Sequence, residues 1–498
     1  MSTKGAWRVH RRESWYIENS RMKNSQLVKL AFLLLFTASA VQAEIRLPAL
    51  IGDNMVLQRE SEVPLWGTAA ANARVTVTTS WNDRGYTVRA DRNGNWRITV
   101  STPQAGGPYE MTFTEDQVKR SPATVQVRNV LIGEVWLCSG QSNMEMPVSG
   151  FKNQPVLHSN ELLADAGQPM VRLFQVQRAV SATEAADCTG SWELSSPGSV
   201  AGFSAVGYQF ARRLQEILQV PVGIIQSTWG GTPIEAWTDR ASLSGFPELA
   251  YPFPSDSVEA GRLVATCLYN GMIAPLAGYG IKGFLWYQGE ANRARPEQYT
   301  DLMEAMVRGW RKKWGNDQLP FYYVQIAPYD YPSHAATVPY LREAQLKAME
   351  RIPCSGMVVS VDVGSSETIH PPDKSTIARR LLYWALANEY HMEGIAFRSP
   401  EFESLEVKGN KLLIRFKHAL RGLSSFGKQL TSFEVAGADR VFHPAVATLS
   451  SDGVLLHSDQ VAHPVAARYA FKDDANGNLY NTAGLPASPF RTDDWELK

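Results

Sequence analysis

Gly140-Gln141-Ser142-Asn143-Met144-Glu145 sits where an apolar, β-prone run, 134–138, stops and a helix is expected to start. A serine at such a junction is placed to be a nucleophile. The end of a parallel strand is where an open α/β sheet exposes its ligand crevice, and the first N–H groups of the next helix can receive an oxyanion. The same letters, Ser142-x-x-Glu145, also spell a capping box that would merely start the helix. Taken alone, the segment leaves both readings open.

Three other segments share that placement just past an expected strand. Trp229-Gly230-Gly231-Thr232 is a turn whose backbone can approach a ligand closely for want of a Cβ, or a plain tight turn. Gln288-Gly289-Glu290-Ala291-Asn292 crowds two amides and a carboxylate around a glycine. Side-chain amides there can donate to a developing oxyanion; alternatively Glu290 opens the next helix and Asn292 caps it. Asp362-Val363-Gly364-Ser365-Ser366-Glu367-Thr368-Ile369-His370-Pro371-Pro372-Asp373-Lys374 carries the best general base. His370 lies in a strand-to-helix loop stiffened by two prolines, and no other of the nine histidines has a comparable setting. A serine, a histidine and a carboxylate on separate strand ends suit nucleophilic acyl transfer. No Gly-x-Ser-x-Gly elbow surrounds Ser142, so the common α/β-hydrolase arrangement is not indicated.

The elements that must position these residues are buried strands alternating with amphipathic helices. Strands are expected at 134–138, 222–227, 282–287, 321–326 and 357–362. Helices are expected at 204–218, at 374–388, and around Tyr299, Leu302, Met303, Met306, Val307 and Trp310, which share one face. This alternation predicts a doubly wound parallel sheet over residues 131–392. On either side the period changes to two. Arg74–Thr79 and 96–100, punctuated by Asn93-Gly94-Asn95, indicate an N-terminal β-domain at 44–130. Residues 411–416, with turns at Gly409-Asn410 and Asp452-Gly453, indicate a C-terminal β-domain at 393–498, whose loop 478–486 is expected to fold back on the catalytic unit.

The chain of 498 residues is too long for one core, and its 49 basic and 49 acidic residues balance. That removes the electrostatic case for nucleic acid or an anionic membrane as the main partner. Fourteen tryptophans and eighteen tyrosines suit sugar stacking but equally suit cores, and most are assigned to cores. Lys23 and Lys29 before an apolar run, then Val41-Gln42-Ala43, read as a signal peptide over 1–43 cleaved after Ala43, with Met22 as an alternative start. The expectation is an exported protein, periplasmic or extracellular, with no membrane span after signal removal. Cys138, Cys188, Cys267 and Cys354 are scattered, so no zinc site is expected; Cys138 and Cys354 are expected to be packed thiols, and one disulfide stays open.

Jointly the motifs resemble the sialate O-acetylesterases, a branch of the SGNH hydrolase superfamily. They are Gly-Glu-Val-Trp-Leu-Cys-Ser-Gly-Gln-Ser-Asn-Met at 133–144, Gly-Gly-Thr-Pro-Ile-Glu-Ala-Trp at 230–237, Trp-Tyr-Gln-Gly-Glu-Ala-Asn at 286–292 and Ile-His-Pro-Pro-Asp-Lys at 369–374. Asn-Met-Val-Leu-Gln-Arg at 54–59, Cys-Leu-Tyr-Asn-Gly-Met at 267–272 and Gly-Leu-Pro-Ala-Ser-Pro-Phe-Arg-Thr-Asp at 484–493 extend the likeness over most of the mature chain. The resemblance implies an SGNH-type sheet domain flanked by β-rich domains, acting as a serine esterase on O-acetylated sugars, sialic acids first. It implies Ser142 as nucleophile and His370 as base. The implied oxyanion donors are the Ser142 amide, Gly231 with Gly230 beside it, and Asn292 with Gln288 close by; Glu290 and Gln141 complete the expected binding set. The superfamily commonly places an Asp three residues before the histidine, and here that position is Glu367. Asp362, a backbone carbonyl, or no third residue are the alternatives. No metal or cofactor is implied, because a Ser-His site with an oxyanion hole suffices for ester cleavage. The rival readings are an acetylxylan or other polysaccharide acetyl esterase and a non-catalytic carbohydrate-binding protein. Oligomeric state is not encoded in any of these motifs.

Overall fold

The computed structural model describes residues 45–116, 123–246, 248–332 and 337–495. The expected leader, 1–43, lies outside the described residues, as does its alternative start. Six strands come first: β1 (Val56–Gln58), β2 (Glu62–Thr68), β3 (Arg74–Thr79), β4 (Arg84–Arg89), β5 (Asn95–Ser101) and β6 (Gly106–Asp116). β2 pairs antiparallel with β5, and β3 pairs antiparallel with both β4 and β6. β6 then pairs antiparallel with the first half of β7 (Ala123–Gly140). That long strand joins the two regions without a linker. Its burial alternates up to Asn129, and every residue from Val130 to Gly140 is buried. The change marks where a sheet open to water on one face becomes a sheet covered on both.

Beyond that point β7 is the centre of a parallel sheet. β10 (Val222–Thr228) and β11 (Gly283–Tyr287) pair with it on either side, β8 (Val171–Gln175) lies outside β10, and β12 (Phe321–Val324) and β13 (Ser355–Val358) follow outside β11. A short antiparallel strand, β9 (Trp192–Leu194), closes the β8 edge. Because neighbouring residues of a strand point to opposite faces, the sheet feeds two cores. Trp136, Leu285, Tyr322 and Val358 pack against Phe210 and Leu214 of one helix and Leu381 and Ala385 of another. Val135, Leu137, Trp286 and Tyr323 pack on the other side with Tyr299, Met303, Met306 and Trp310, the one-faced set expected from helical spacing.

The helices that bear on the sheet and its strand-end turns are α1 (Ser142–Glu145), α2 (Ala205–Leu218), α3 (Pro296–Trp314), α4 (Val338–Arg351) and α5 (Lys374–Asn388). α3 starts on a proline, which needs no N–H partner there, and stops at Gly315 in the left-handed region at φ 70°. Three basic residues fill its last turn, opposite the negative end of its dipole. α5 begins where Asp373 accepts from the Thr376 N–H at 2.9 Å, a cap worth about 1 kcal/mol that also fixes the end of the His370 loop. The fold is therefore α/β, a doubly wound parallel sheet flanked by β-rich regions.

After α5 the chain forms a four-stranded antiparallel sheet around Lys411–Lys417 and a second one around Phe433–Ala436. The last residues return to the parallel sheet. Arg342 of α4 donates to the carbonyls of Lys472 and Asp473, the Gly477 N–H donates to the Val361 carbonyl, and Arg491 bonds Glu343. Three expectations need adjustment. The strand expected at 357–362 spans Ser355–Val358, and the chain then bends into the His370 loop. β8 and α4 were not foreseen. Cys354, expected packed, is exposed, and all four cysteines are free thiols. Among the described residues no helix is long and apolar enough to cross a membrane.

Candidate active site

The turn after β7 is forced by packing. Gly140 has φ +132°, and a Cβ there would lie 2.2 Å from the Tyr287 carbonyl oxygen of β11. Only glycine lets the two strand ends run this close. The Gln141 N–H then donates to that carbonyl at 3.0 Å, and α1 starts at Ser142, which is half-buried. The capping box is not made: Gln141 occupies the cap position, and no side chain caps the helix. Glu145 is engaged elsewhere, accepting from the Gly230 N–H at 2.9 Å and from Arg178 at 2.7 and 3.0 Å.

Gly230 lies directly against the serine. A Cβ there would be 3.2 Å from Ser142 Cβ and 3.0 Å from Glu145 Oε2. Its carbonyl accepts from Arg262 at 2.8 Å, and Arg178 lies 5.5 Å from the Trp229 ring, so two guanidinium groups border the Gly-Gly turn. The Gly231 N–H, unlike that of Gly230, has no acceptor among the described residues.

The third turn is threaded through the first. Gln141 Oε1 accepts from the N–H groups of Gly289 and Ala291, both at 3.3 Å. Gln288, fully buried, donates both Nε2 hydrogens, to the Thr232 carbonyl and to Asn292 Oδ1, and accepts from Tyr299. It has none left for an oxyanion. Asn292 donates one Nδ2 hydrogen to Glu235 and accepts from the Ile234 N–H, holding the second and third turns together; one hydrogen remains. Glu290 opens a single helical turn at 290–292, but its carboxylate is buried and accepts from Asn143 Nδ2 at 2.6 Å.

Asn143 is the hub that sequence reasoning missed. Its Nδ2 also donates to the Ile369 carbonyl at 3.0 Å, and its Oδ1 accepts from Lys374 Nζ at 2.6 Å. One buried side chain thus ties the residue after Ser142 to the residue before His370, to Glu290 and to the first residue of α5. Asn143 and Lys374 both stand inside motifs already singled out, but their letters carried no sign of burial.

His370 is half-buried, with the Phe151 ring edge-on at 5.4 Å. Burial, and secondly the Lys374 cation, hold its imidazole down at about 4, so it is neutral at ordinary pH. Lys374 is itself lowered to about 7 by burial, against the pull of Glu290, whose carboxyl is pushed up by burial. His370 Nδ1 lies 2.5 Å from Gln154 Oε1. The structure does not bring the two candidate carboxylates to this atom. Asp362 is held in a two-pronged ion pair by Arg380 at 2.7 Å on each oxygen, because a carboxylate half-buried beside a guanidinium is best satisfied there. Glu367 stands exposed on a turn, its carboxylate accepting from Ser366. Among the described residues no group of three His, Cys, Asp or Glu side chains could hold a metal.

A cavity of about 550 Å³ lies on the far side of Glu145 and Phe151, lined also by Gln175, Arg178, Ser191 and Glu193; Ser142 and His370 are not among its walls. Its size and polar walls fit a monosaccharide. Residues 132–388, from within β7 to the last residue of α5, match the family described as carbohydrate esterase, sialic acid-specific acetylesterase. The chain belongs to this family. Curated relatives agree: the sialate O-acetylesterases of Rattus norvegicus and Homo sapiens are each 30% identical, over 89% and 92% of this chain and 94% of each relative. Among solved structures, a carbohydrate acetylesterase from Xanthomonas citri superposes with a TM-score of 0.81 at 36% identity, covering 91% of this chain and all of that one. The family match spans all four strand-end turns of the site.

Proposed function

We propose that the protein hydrolyses O-acetyl esters of sugars by serine–histidine acyl transfer, with acetylated sialic acids as its first substrates. The observation that carries this reading is the Asn143 hub, which fixes the Ser142 helix and the His370 loop in one register. His370, neutral at working pH, takes the Ser142 hydroxyl proton through Nε2 as Oγ attacks the acetyl carbonyl carbon. The oxyanion is received by the N–H groups of Ser142 and Gly231, with the remaining hydrogen of Asn292 as a third donor. One such donor is worth about 3–4 kcal/mol in acyl transfer. Collapse expels the sugar alkoxide, which takes the proton from the imidazolium. Water, deprotonated by the same imidazole, then cleaves the acetyl-enzyme to acetate.

The choice of an acidic sugar is supported by Arg262 at the Gly-Gly turn, whose guanidinium spends one donor on the Gly230 carbonyl and keeps others for a carboxylate, and by the names of the curated relatives. The 36% identity to a carbohydrate acetylesterase favours a second reading, a polysaccharide acetyl esterase with the same chemistry and a different alcohol. The basic and apolar stretch at 23–43 supports export to the periplasm or beyond. Ser142→Ala is expected to abolish acetate release from an activated acetyl ester; wild-type turnover in that variant would end the proposal. Competing O-acetylated sialic acid against acetylxylan separates the two substrate readings, and Arg262→Ala should lower the rate on the acidic substrate more than on acetylxylan.

A further inference from the structure

The imidazole of His370 has a partner 216 positions away in sequence that none of the motifs predicts. Gln154 ends a closed turn. Phe151 and Gln154 exchange N–H···O bonds at 3.0 Å, Asn153 between them is left-handed at φ 61°, and Pro155 follows. Gly150 is also left-handed at φ 79°, and a Cβ there would lie 2.5 Å from the Gln154 carbonyl oxygen. The same loop docks on the histidine segment, where the Leu157 N–H donates to the Pro372 carbonyl at 3.0 Å and the Phe151 ring meets the imidazole edge-on. The backbone of Gln154 is therefore held beside the imidazole by a closed turn, within reach of Nδ1 for its side-chain amide.

Every nearby carboxylate is engaged elsewhere: Asp362 with Arg380, Glu367 with Ser366, Glu290 with Asn143, and Asp373 with both the N–H and the hydroxyl of Thr376. An amide oxygen only accepts, so with Oε1 turned to the ring the proton belongs on Nδ1, which leaves Nε2 free to act as base.

We infer that Gln154 is the residue that orients His370, so that the third member of the site is a neutral amide supplied by the 150–155 turn instead of a carboxylate. Gln154 touches neither substrate nor the reacting atoms and is a positioning residue. The inference rests on the esterase reading for its purpose but not for its measurement.

The charged groups around the imidazole are Lys374 of α5, Glu290 beyond Asn143, and Glu367 and Asp373 on its own segment. All stay in place when Gln154 is changed, so the pH response can be assigned to that position. In the full chain, Gln154→Met should lower kcat about tenfold with KM within about twofold, the loss of one hydrogen bond that aligns the base. Gln154→Glu should move the acid limb of kcat/KM up by about one pH unit or more, because an anion beside Nδ1 favours the imidazolium. Nitrogen-15 spectra of labelled histidine should show His370 with the proton on Nδ1 in the wild type and in Ser142→Ala, and a mixture of tautomers in Gln154→Met. A proton on Nε2 in the wild type overturns the inference, as does an unmoved acid limb in a folded Gln154→Glu. Retained activity in Ser142→Ala defeats the esterase reading instead, and the tautomer measured in that variant still decides the role of Gln154.

Discussion

Asn143 offers the sharpest test of how this site is held together. It is fully buried between a carboxylate and an ammonium that are themselves 3% and 1% exposed. Replacing it by leucine of similar size opens little space but removes three hydrogen bonds. Two of these, at 2.6 Å to Glu290 and from Lys374, involve groups that carry charge and are each worth about 1.5–3 kcal/mol; the third, to the Ile369 carbonyl at 3.0 Å, is worth about 1. The groups left behind cannot reach water, so the loss should stand near the upper end for a broken buried pair, about 3–5 kcal/mol. Native proteins have about 5–15 kcal/mol in all, so the variant should fold but unfold at clearly lower urea.

Activity should fall by at least about a hundredfold, because an error of about 1 Å between base and nucleophile has that effect. The decisive comparison is with Asn143→Leu/Glu290→Leu/Lys374→Met, in which both charged partners leave with the amide and the Ile369 carbonyl alone loses its donor. That variant should recover most of the lost stability, since a buried polar cluster replaced whole by apolar side chains is near neutral or better. It should not recover activity, because nothing then pins the Ile369 carbonyl. An Asn143→Leu unfolding free energy unchanged to within about 0.5 kcal/mol, or a triple variant that regains turnover with stability, would refute the hub.

The folded imidazole of His370 holds its proton less tightly than the unfolded one, at about 4 against an ordinary 6.5. The acid limb of kcat/KM should therefore lie near pH 4. Between those values the unfolded chain binds more protons, so stability should fall as pH drops through the window, and His370→Asn should flatten that slope in urea titrations at stepped pH. Gly230→Ala places a methyl 3.2 Å from Ser142 Cβ and should lower kcat at least about tenfold while leaving the circular dichroism spectrum unchanged. Glu367→Gln should keep wild-type turnover, whereas Asp362→Ala, which strands the buried Arg380 guanidinium, should cost about 3–5 kcal/mol in urea unfolding.

How much of this was legible depended on whether burial followed from the letters. The strands that feed both cores are written in apolar residues, and α5 starts and stops where its pattern begins and ends at Lys374–Asn388. α4 was hidden because its buried face includes Arg342 and Gln345, which a hydrophobic pattern counts as solvent-facing. Arg342 is fully buried and donates to three backbone carbonyls, two of them in the returning C-terminal segment, so its burial depends on chain more than a hundred residues distant. The four strand-end turns could be singled out because a parallel sheet places its ligand crevice at the strand ends whatever the side chains do. The oxyanion donors were harder to sort: Gln288 and Asn292 carry the same amide, and only the Thr232 carbonyl and Glu235 decide which hydrogens remain.

The third member of the site shows the same limit at its strongest. Spacing along the chain points to Glu367, three residues before the histidine, yet that residue stands in solvent with its carboxylate accepting from Ser366. The Nδ1 side of the ring faces the turn after α1 instead, which reaches it only because Gly150 and Asn153 accept left-handed backbone. Burial and the Lys374 cation hold the imidazole in its neutral form, and the neutral amide at Nδ1 supplies no anion to oppose them. The base stays unprotonated far into acid, but the positive ring formed as Ser142 attacks receives no anionic support. On the proposed mechanism the transition state is then stabilised on its other side, by the N–H groups of Ser142 and Gly231, so the contact between Gly230 and the serine should matter more to rate than any carboxylate near the histidine.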